Sequence, residues 1–290
     1  MPRQYHFIIN TLAGSYSRHR VNQVVSTLAA SGITLTLHAV TEPGEVARCA
    51  NRICAGEEHP FIIVGGGDGA INGVINGITF GKATLAVIPM GKANLLAREI
   101  GISSLENALT RIVNGATRSP AVGLLQVERK KQFFLLMAGI GLDGFICESV
   151  RSPELRLLGK GAYLLAALRR FAAWERERLE LYVDEMRIDC HGVIICNAAA
   201  YGGGVILAPH ADLFAPEFQV VCVKDDRRMS YLKLALSTLA GSYPDTPHVR
   251  RFSAAKLVVT GRKAVQIDGD YYCYSPMRIS CVEQLFRLIV

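Results

Sequence analysis

The chain has 290 residues, a formal net charge of +7 from 32 basic and 25 acidic side chains, and half of its residues are hydrophobic. This composition can fill a core, which excludes a largely disordered protein. The mean hydropathy is +0.24, but no run reaches the ~20 apolar residues of a spanning helix, and the opening MPRQYHFIIN lacks the apolar stretch of a signal peptide. We therefore expect neither a membrane-spanning nor a secreted protein.

The eight cysteines never form a Cys-x-x-Cys pair, and most lie inside apolar, strand-like runs. This pattern indicates buried thiols in a reducing compartment rather than disulfides or a zinc site. We expect a cytoplasmic location. The positive net charge suits an anionic partner, whether phosphate, nucleic acid or lipid headgroups. With one tryptophan and no aromatic-basic cluster, we do not expect nucleic acid as that partner.

Strand and helix patterns alternate over the first 120 residues. The predicted order is a strand at 5–9, a helix at 18–30, a strand at 33–40, a helix at 45–55, a strand at 61–64, a helix after residue 69, a strand at 84–88, and helical segments near 93–100 and 104–114. Repeated strand-then-helix units indicate a parallel sheet covered on both faces. We therefore predict an α/β domain over residues 1–120.

Short strand patterns dominate the remainder of the chain. They lie at 122–128, 132–140, 179–184, 187–196, 218–223, 249–260, 263–267 and 277–282, and one long helix is predicted at 153–178. This pattern predicts an all-β sandwich domain over residues 121–290, whose last residues could pack back on the first domain.

The sharpest local feature is a glycine-rich junction between a buried strand and a helix, Gly65-Gly66-Gly67-Asp68-Gly69. Glycines let the backbone turn and approach a ligand closely, and the following helix N-terminus offers N–H groups to an anion. The junction is neither the dinucleotide fingerprint nor a P-loop. A tight strand-to-helix turn alone would need only one or two glycines, so the sequence favours a phosphate-binding loop.

Two further junctions carry polar residues. Residues 89–94, Pro-Met-Gly-Lys-Ala-Asn, follow the next strand, and ligands collect at the carboxyl ends of neighbouring parallel strands. Both junctions could therefore border one site, where Lys92 would add a cation unless it is simply a solvated loop lysine. Residues 266–270, Gln-Ile-Asp-Gly-Asp, end a strand of the second domain and could equally be only a hairpin turn.

An ordered set of segments runs along nearly the whole chain. They are IINTLAG (8–14), Thr41, VGGGDGAINGVINGI (64–78), IPMGKANLLAREIGI (88–102), LLMAGIGLDGFI (135–146), LLGKGAYLLAALRRF (157–171), Asn197 with Tyr201–Gly204 and Ala208-Pro209, and QIDGD (266–270). Each segment alone is a weak signal, but the ordered set is specific, and it resembles the diacylglycerol kinase catalytic-domain family, which includes sphingosine kinases and bacterial YegS-like enzymes.

The resemblance implies an NAD-kinase-like α/β domain, a β-sandwich, and transfer of the ATP γ-phosphate to a hydroxyl of a diacylglycerol- or sphingoid-type lipid, with Mg²⁺. Such transfer needs positioning, neutralised phosphate charge and a proton acceptor. By similarity, Asp268 would be the general base, and Asp270 stands where the family has glutamate. The residues implied to hold ATP are Asn10, Thr41, Gly65, Gly66, Gly67, Asp68, Gly69, Ala70, Asn72, Gly91, Lys92 and Asn94.

Several residues depart from the family pattern. Hydroxyls or carboxylates are missing at Ala70, Gly73, Lys92 and Leu95. A catalytically weakened, nucleotide-binding regulatory protein on the same scaffold is therefore an alternative, and a kinase of NAD or another soluble metabolite is a third. Residues Leu213–Phe218 offer few oxygen ligands where the family often binds a structural Mg²⁺, so we expect that metal site to be lost or weakened.

The segment 151–178 carries seven basic residues against three acidic ones, interleaved with leucines. It could approach anionic lipid headgroups at the inner membrane surface. An ordinary amphipathic helix packed on the sandwich would have the same pattern, so both interpretations stay open.

Overall fold

The computed structural model describes residues 4–42, 44–150, 153–154, 159 and 161–290. The chain divides into two compact units: a first unit of Met1–Ala121 with Val282–Val290, and a second unit of Val122–Cys281. The C-terminal residues thus belong to the first unit, although they follow the second unit in the chain.

The first unit is built on a mostly parallel sheet with strand order β2-β1-β3-β4-β20-β5, in which only the short β5 runs antiparallel to its neighbour β20. The elements are β1 (Tyr5–Asn10), α1 (Arg18–Ala30), β2 (Leu35–Val40), α2 (Glu45–Gly56), β3 (Phe61–Gly66), α3 (Asp68–Ile75), β4 (Thr84–Pro89), α4 (Leu95–Glu99), α5 (Leu105–Asn114), β5 (Thr117–Arg118) and β20 (Arg287–Ile289).

Local sequence explains where these helices begin and which side they bury. The side chain of Ser17 caps α1 by accepting from the Arg20 amide, and Ser104 caps α5 through the Asn107 amide, as serine commonly does at helix starts. The central strand β3 is buried along its whole length. It therefore forms the core of the sheet and carries the glycine-rich junction at its end.

The second unit contains antiparallel sheets with strand orders β10-β9-β16-β19-β6-β7 and β15-β14-β11-β8-β17-β18, and one apolar cluster takes residues from both of them. The elements are β6 (Val122–Val127), β7 (Lys130–Phe134), β8 (Met137–Ile140), α6 (Leu142–Ser149), α7 (Gly161–Ala172), β9 (Leu179–Val183), β10 (Met186–Cys190), β11 (Gly192–Cys196), β12 (Ala200–Tyr201), β13 (Val205–Ile206), β14 (Phe218–Val223), α8 (Arg228–Leu239), β15 (Val249–Ala254), β16 (Lys256–Thr260), β17 (Ala264–Ile267), β18 (Asp270–Tyr274) and β19 (Met277–Val282).

The predicted fold class is confirmed, an α/β domain followed by a β-sandwich, but the second unit differs from its prediction in detail. The predicted strands at 132–140, 187–196 and 249–260 are each divided into two strands. Helices α6 and α8 were not expected, and they pack against the sheet β15-β14-β11-β8-β17-β18.

The long helix expected at 153–178 is also wrong in its last part. Helix α7 ends at Ala172 because the chain is then held by tertiary contacts: the Trp174 indole N–H donates to the Asp226 carbonyl at 2.6 Å, and the Glu175 carbonyl bonds the His191 ring at 2.8 Å. Residues 151, 152, 155–158 and 160 of the predicted segment lie outside the described residues.

Among the residues that the structure describes, no helix is both long enough and apolar enough to cross a bilayer.

Candidate active site

The parallel strands of the first unit bring four polar segments to one edge of the sheet. In the strand register Asn10 is opposite Val40, Ile9 is opposite Gly65, and Gly66 is opposite Pro89. The carboxyl ends of β1, β2, β3 and β4 therefore lie together. This edge collects every residue that the resemblance assigned to ATP, from Asn10 and Thr41 to the junctions at 65–72 and 91–94.

The two glycine-containing junctions touch through their backbones. A Cβ at Gly91 would lie 2.5 Å from the Cα of Gly67 and 2.7 Å from Oδ1 of Asn94, and a Cβ at Gly66 would lie 2.5 Å from the Cβ of Ala70. No residue larger than glycine fits at Gly91 or Gly66 without displacement. The glycines therefore set a close approach of main chain, and Gly69 in the first turn of α3 is exposed, where a ligand could reach the backbone.

Asp68 ties the first junction to the start of α4. Its Oδ2 accepts from the Leu95 amide and its Oδ1 from the Leu96 amide, both at 3.0 Å. A carboxylate at a helix N-terminus satisfies amides that have no partner within the helix. Asp68 is thus first a cap of α4 that fixes how the two loops meet.

The second junction is closed by Asn94. This residue has a left-handed backbone, with φ of 48°, and its side chain accepts from the Gly91 amide at 2.8 Å and donates to the Gly91 carbonyl at 2.9 Å. Lys92 is exposed, and its aliphatic part lies against Gly14 in the loop after β1. The same loop is held by Ser15, whose amide and hydroxyl both donate to the Met90 carbonyl at 2.9 Å.

Other residues implied to bind ATP have local partners. The Asn10 carboxamide oxygen accepts from the Leu12 amide, and the Asn72 side-chain oxygen accepts from the carboxamide of Asn76, the residue that follows α3. Glu45 bonds the Thr41 amide at 2.8 Å, and this bond is the main reason why the pKa of Glu45 lies below its usual range.

In the second unit, Asp268 is held by an array of backbone donors. It has a left-handed φ of 49° at the end of β17. Its carboxylate accepts from the amides of Leu135, Leu136 and Met137 at 2.8–3.0 Å, and its own amide donates to the Met137 carbonyl. The side chain therefore fixes the turn between β17 and β18 onto the chain that leads into β8.

The turn between β17 and β18 is held by hydrogen bonds to both backbone groups of Gly269. The Gly269 amide donates to Oε1 of Gln266 at 2.8 Å, and the Gly269 carbonyl accepts from the Tyr163 hydroxyl at 3.3 Å. Next to it, Asp270 is exposed as a residue, yet surrounding protein displaces water from its carboxyl group and raises its pKa. Within the described part of the chain, the Asp270 carboxylate has no hydrogen-bond or ion-pair partner.

A buried carboxyl group that the sequence did not single out supports this turn. Asp143, at the start of α6, accepts from the Tyr201 hydroxyl and from Nε2 of Gln266, the latter at 2.6 Å. Its pKa is raised, mainly because burial removes it from water. Asp143 lies in the segment GIGLDGF, so its motif was visible, but its partner Gln266 becomes evident only when α6 is placed on β17.

The side chains at 213–218 do not fit a structural metal. Leu213 and Phe218 are buried in the apolar core, and Glu217 is the segment's single carboxylate. Among the described residues, no group of three or more His, Cys, Asp or Glu side chains could hold a metal ion.

Comparison with known proteins gives two family matches that follow one another along the chain. Residues 4–125 match the diacylglycerol kinase catalytic domain, and residues 137–290 match the YegS C-terminal NAD kinase beta sandwich-like domain. A diacylglycerol kinase of Bacillus subtilis is 27% identical over 259 residues, which are 86% of this chain and 83% of that protein.

Solved structures share the fold. A diacylglycerol kinase from Bacillus anthracis superposes with a TM-score of 0.75 at 19% identity, covering 99% of this chain and 96% of that one. An NAD kinase from Archaeoglobus fulgidus, solved in complex with ATP, gives a TM-score of 0.56 at 14% identity, covering 99% and 94% of the two chains.

Proposed function

Because the chain belongs to the diacylglycerol kinase catalytic-domain family, we propose that it is an ATP-dependent lipid kinase. It transfers the γ-phosphate of ATP to a hydroxyl group of a diacylglycerol- or sphingoid-type lipid. The observation that carries the proposal is the edge of the first sheet, where two loops meet at Gly67 and Gly91 beside the N-terminus of α3 and Gly69 is exposed. Such an edge suits the phosphates of a nucleotide.

The first unit binds the nucleotide in this proposal. Amides at the start of α3 and the partial positive charge of its N-terminus attract phosphate oxygens. Lys92 is exposed beside the same loops and adds a positive charge that neutralises the triphosphate. Asn94 and Asp68 do not need to contact ATP to matter, since their bonds to Gly91, Leu95 and Leu96 shape the loops.

Mg²⁺ would bind together with ATP rather than in a site formed by protein ligands alone. Mg²⁺ is usually held by substrate phosphates, waters and one or two carboxylates, and it would neutralise the charge of the phosphates. Asp68 is the carboxylate of these loops that would face such an ion. Each of its oxygens accepts one amide and a carboxylate offers about four acceptor positions, so a bond to a metal-bound water remains available.

The contacts of the two carboxylates at 268 and 270 favour different roles for them. The resemblance assigned the general base to Asp268, but three backbone amides already bind that carboxylate. Asp270 has no such partners among the described residues, and its raised pKa brings it closer to that of an effective proton acceptor. We therefore assign proton acceptance to Asp270 and positioning of the turn to Asp268.

The lipid hydroxyl oxygen attacks the γ-phosphorus of ATP, the bond from that phosphorus to the bridging oxygen breaks, and ADP leaves. The hydroxyl proton passes to the carboxylate of Asp270. Asp143 contributes indirectly, because it orients Gln266, whose Oε1 holds the Gly269 amide next to Asp270.

The test is transfer of label from radiolabelled ATP, with Mg²⁺, to diacylglycerol, monoacylglycerol and sphingoid lipids presented in mixed micelles. We expect one lipid class to be labelled, Asp270→Asn to lose most of the rate, and Asp270→Glu, which restores the family's residue, to keep it. An Asp268→Asn variant that folds but is as inactive as Asp270→Asn would reverse the two roles. Absence of label on every lipid would contradict the proposal.

A regulatory protein that binds nucleotide without turnover is the second candidate. It is favoured by the residues inside the site: Ala70 is buried against Gly66, and Gly73 packs on Val46, so neither position offers a hydroxyl or carboxylate to ATP. This candidate would be supported if ATP raised the melting temperature of the protein while neither a lipid nor NAD became phosphorylated. Measurable turnover would remove it.

A further inference from the structure

Helix α8 presents a stripe of large apolar side chains to solvent. Leu236 and Leu239 are 58% and 69% exposed, and Met229 and Leu232 are exposed as well. Their spacing of three, four and three residues puts all four on one side of the helix. A helix on the surface of a protein in water ordinarily buries this side.

The opposite side of α8 is fixed to the sheet through a face that is partly polar. Ser230, Leu234 and Thr238 are buried, and Leu234 packs on Val221 and Val223 of β14. Among the described residues, the Thr238 hydroxyl has no hydrogen-bond partner. Two of these three buried residues carry hydroxyls, while most of the large apolar side chains of α8 face outwards. Helix α8 therefore buries less of its apolar surface than an ordinary amphipathic helix does.

Tyr231 makes this orientation rigid. Its hydroxyl bonds Nδ1 of His191 at 2.7 Å, and its ring packs edge-on against Trp174. A rotation of α8 that buried the leucines would break these contacts. The exposed stripe is therefore a fixed part of the fold and is available to a partner.

The charges around the stripe indicate what that partner is. Residues 227–242 contain Arg227, Arg228 and Lys233 and no acidic residue, and all three basic side chains are exposed. The two carboxylates just before this stretch, at 225 and 226, lie against His248 and Arg178. Apolar side chains flanked by cations are typical of helices that lie in the interface of an anionic bilayer. We propose that α8 is a membrane-docking helix, whose stripe of Met229, Leu232, Leu236 and Leu239 enters the interface of a bilayer with anionic headgroups.

A second copy of the chain fits the stripe less well. The stripe consists of four partly exposed side chains, whereas a stable interface takes roughly 20–30 residues and about 800 Å² from each partner. In a symmetric pair, the same surface meets itself, so the cations of α8 would face cations with no acidic residue on the helix to pair with them. An anionic bilayer meets both the apolar and the charged requirements.

The test is sedimentation of the full chain with vesicles of phosphatidylcholine, with or without phosphatidylglycerol, in the absence of nucleotide. The docking surface goes beyond the proposed function and does not depend on it, since vesicle binding requires no phosphoryl transfer. We expect binding to the anionic vesicles, and a loss of about tenfold or more in affinity for the double variant Leu232→Ser/Leu236→Ser. Each of Arg227→Gln and Lys233→Gln should cost about fivefold, and added salt should weaken binding.

A matched control comes from α7, whose Leu164 and Leu168 have the same four-residue spacing and are 65% and 61% exposed. Leu164 and Leu168 belong to the segment 151–178 that the sequence also associated with lipid headgroups, but the neighbouring cations Arg169 and Arg170 are paired with Glu154 and Glu148. The pair Leu164→Ser/Leu168→Ser should therefore leave vesicle binding unchanged. The melting temperature of each variant shows whether it has folded. Unchanged vesicle binding by the α8 variant, an equal loss in the α7 variant, or a wild-type dimer that the α8 substitutions dissociate would each overturn the proposal.

Discussion

Replacing Gly91 with alanine tests how closely the two loops at the proposed nucleotide site must approach. The added Cβ would lie 2.5 Å from the Gly67 Cα, where ordinary contact begins at 3.4 Å. It would also lie 2.7 Å from Oδ1 of Asn94. Neither group can move freely, because Gly67 is the N-cap of α3 and the Asn94 carboxamide makes two hydrogen bonds to the backbone of Gly91. The loops would have to separate by roughly 1 Å, which costs about 1–3 kcal/mol as overpacking does in cores.

The assay is isothermal titration calorimetry with ATP. It compares the wild type with two variants in which one glycine is replaced by alanine. Gly91→Ala should bind ATP about tenfold more weakly and, because a misplacement of ~1 Å can cost as much as 10²-fold, should lose still more rate. Gly56→Ala is the control, because a Cβ at Gly56 meets nothing within 4 Å. ATP affinity equal to wild type in a folded Gly91→Ala protein would refute the argument that this contact shapes the site.

Three further outcomes follow from the second unit. Burial raises the pKa of Asp270, so above the ordinary aspartate pKa its ionised carboxylate destabilises the folded protein. Asp270→Asn should therefore raise the melting temperature at neutral pH, and this gain should vanish in acid. Wild-type activity should fall as the pH drops through the raised pKa of Asp270. Asp268→Ala removes the acceptor of three amides at Leu135–Met137 and should lower the free energy of unfolding by about 3–5 kcal/mol in urea titrations; a change below about 1 kcal/mol would mean that these bonds do not hold the turn. Burial raises the pKa of Cys196 to about 12, so in the native protein it should resist iodoacetamide at neutral pH, and rapid alkylation detected by mass spectrometry would contradict its placement.

Much of the first unit could be predicted from periodicity, because each of its patterns is local. The fully apolar run at 61–64 and the spaced apolar residues at 45–55 give a strand and a helix in the structure with small shifts at the ends. The position of the glycine-rich junction also followed, since a parallel sheet gathers the ends of its strands.

The second unit was harder because its elements depend on distant contacts. Helix α8 exposes three of its four leucines and buries two hydroxyls beside the fourth, Leu234, so periodicity did not predict which side faces the core. The irregular stretch after α7 is set by Trp174 and Glu175 through partners at Asp226 and His191. No sequence pattern near Trp174 contains that information.

In the candidate site, too, some features could be predicted from local sequence and others depend on distant contacts. Sequence motifs predicted which residues form the site, and the hydrogen-bond partners of those residues changed the roles that we expect for two of them. Asp68 turned out to cap α4, and Asp268 to bind three amides. Since these partners are backbone N–H groups, which every residue type except proline carries, side-chain motifs could not reveal them.

The central claim, that this chain phosphorylates a lipid with ATP, is tested most directly by identifying the product. Purified protein is incubated with ATP, Mg²⁺ and each candidate lipid, and the lipids are extracted and analysed by mass spectrometry. We predict a lipid that gains one phosphate in proportion to the ADP formed, and loss of that product with Asp270→Asn. ATP that binds while every lipid is recovered unchanged would contradict the account.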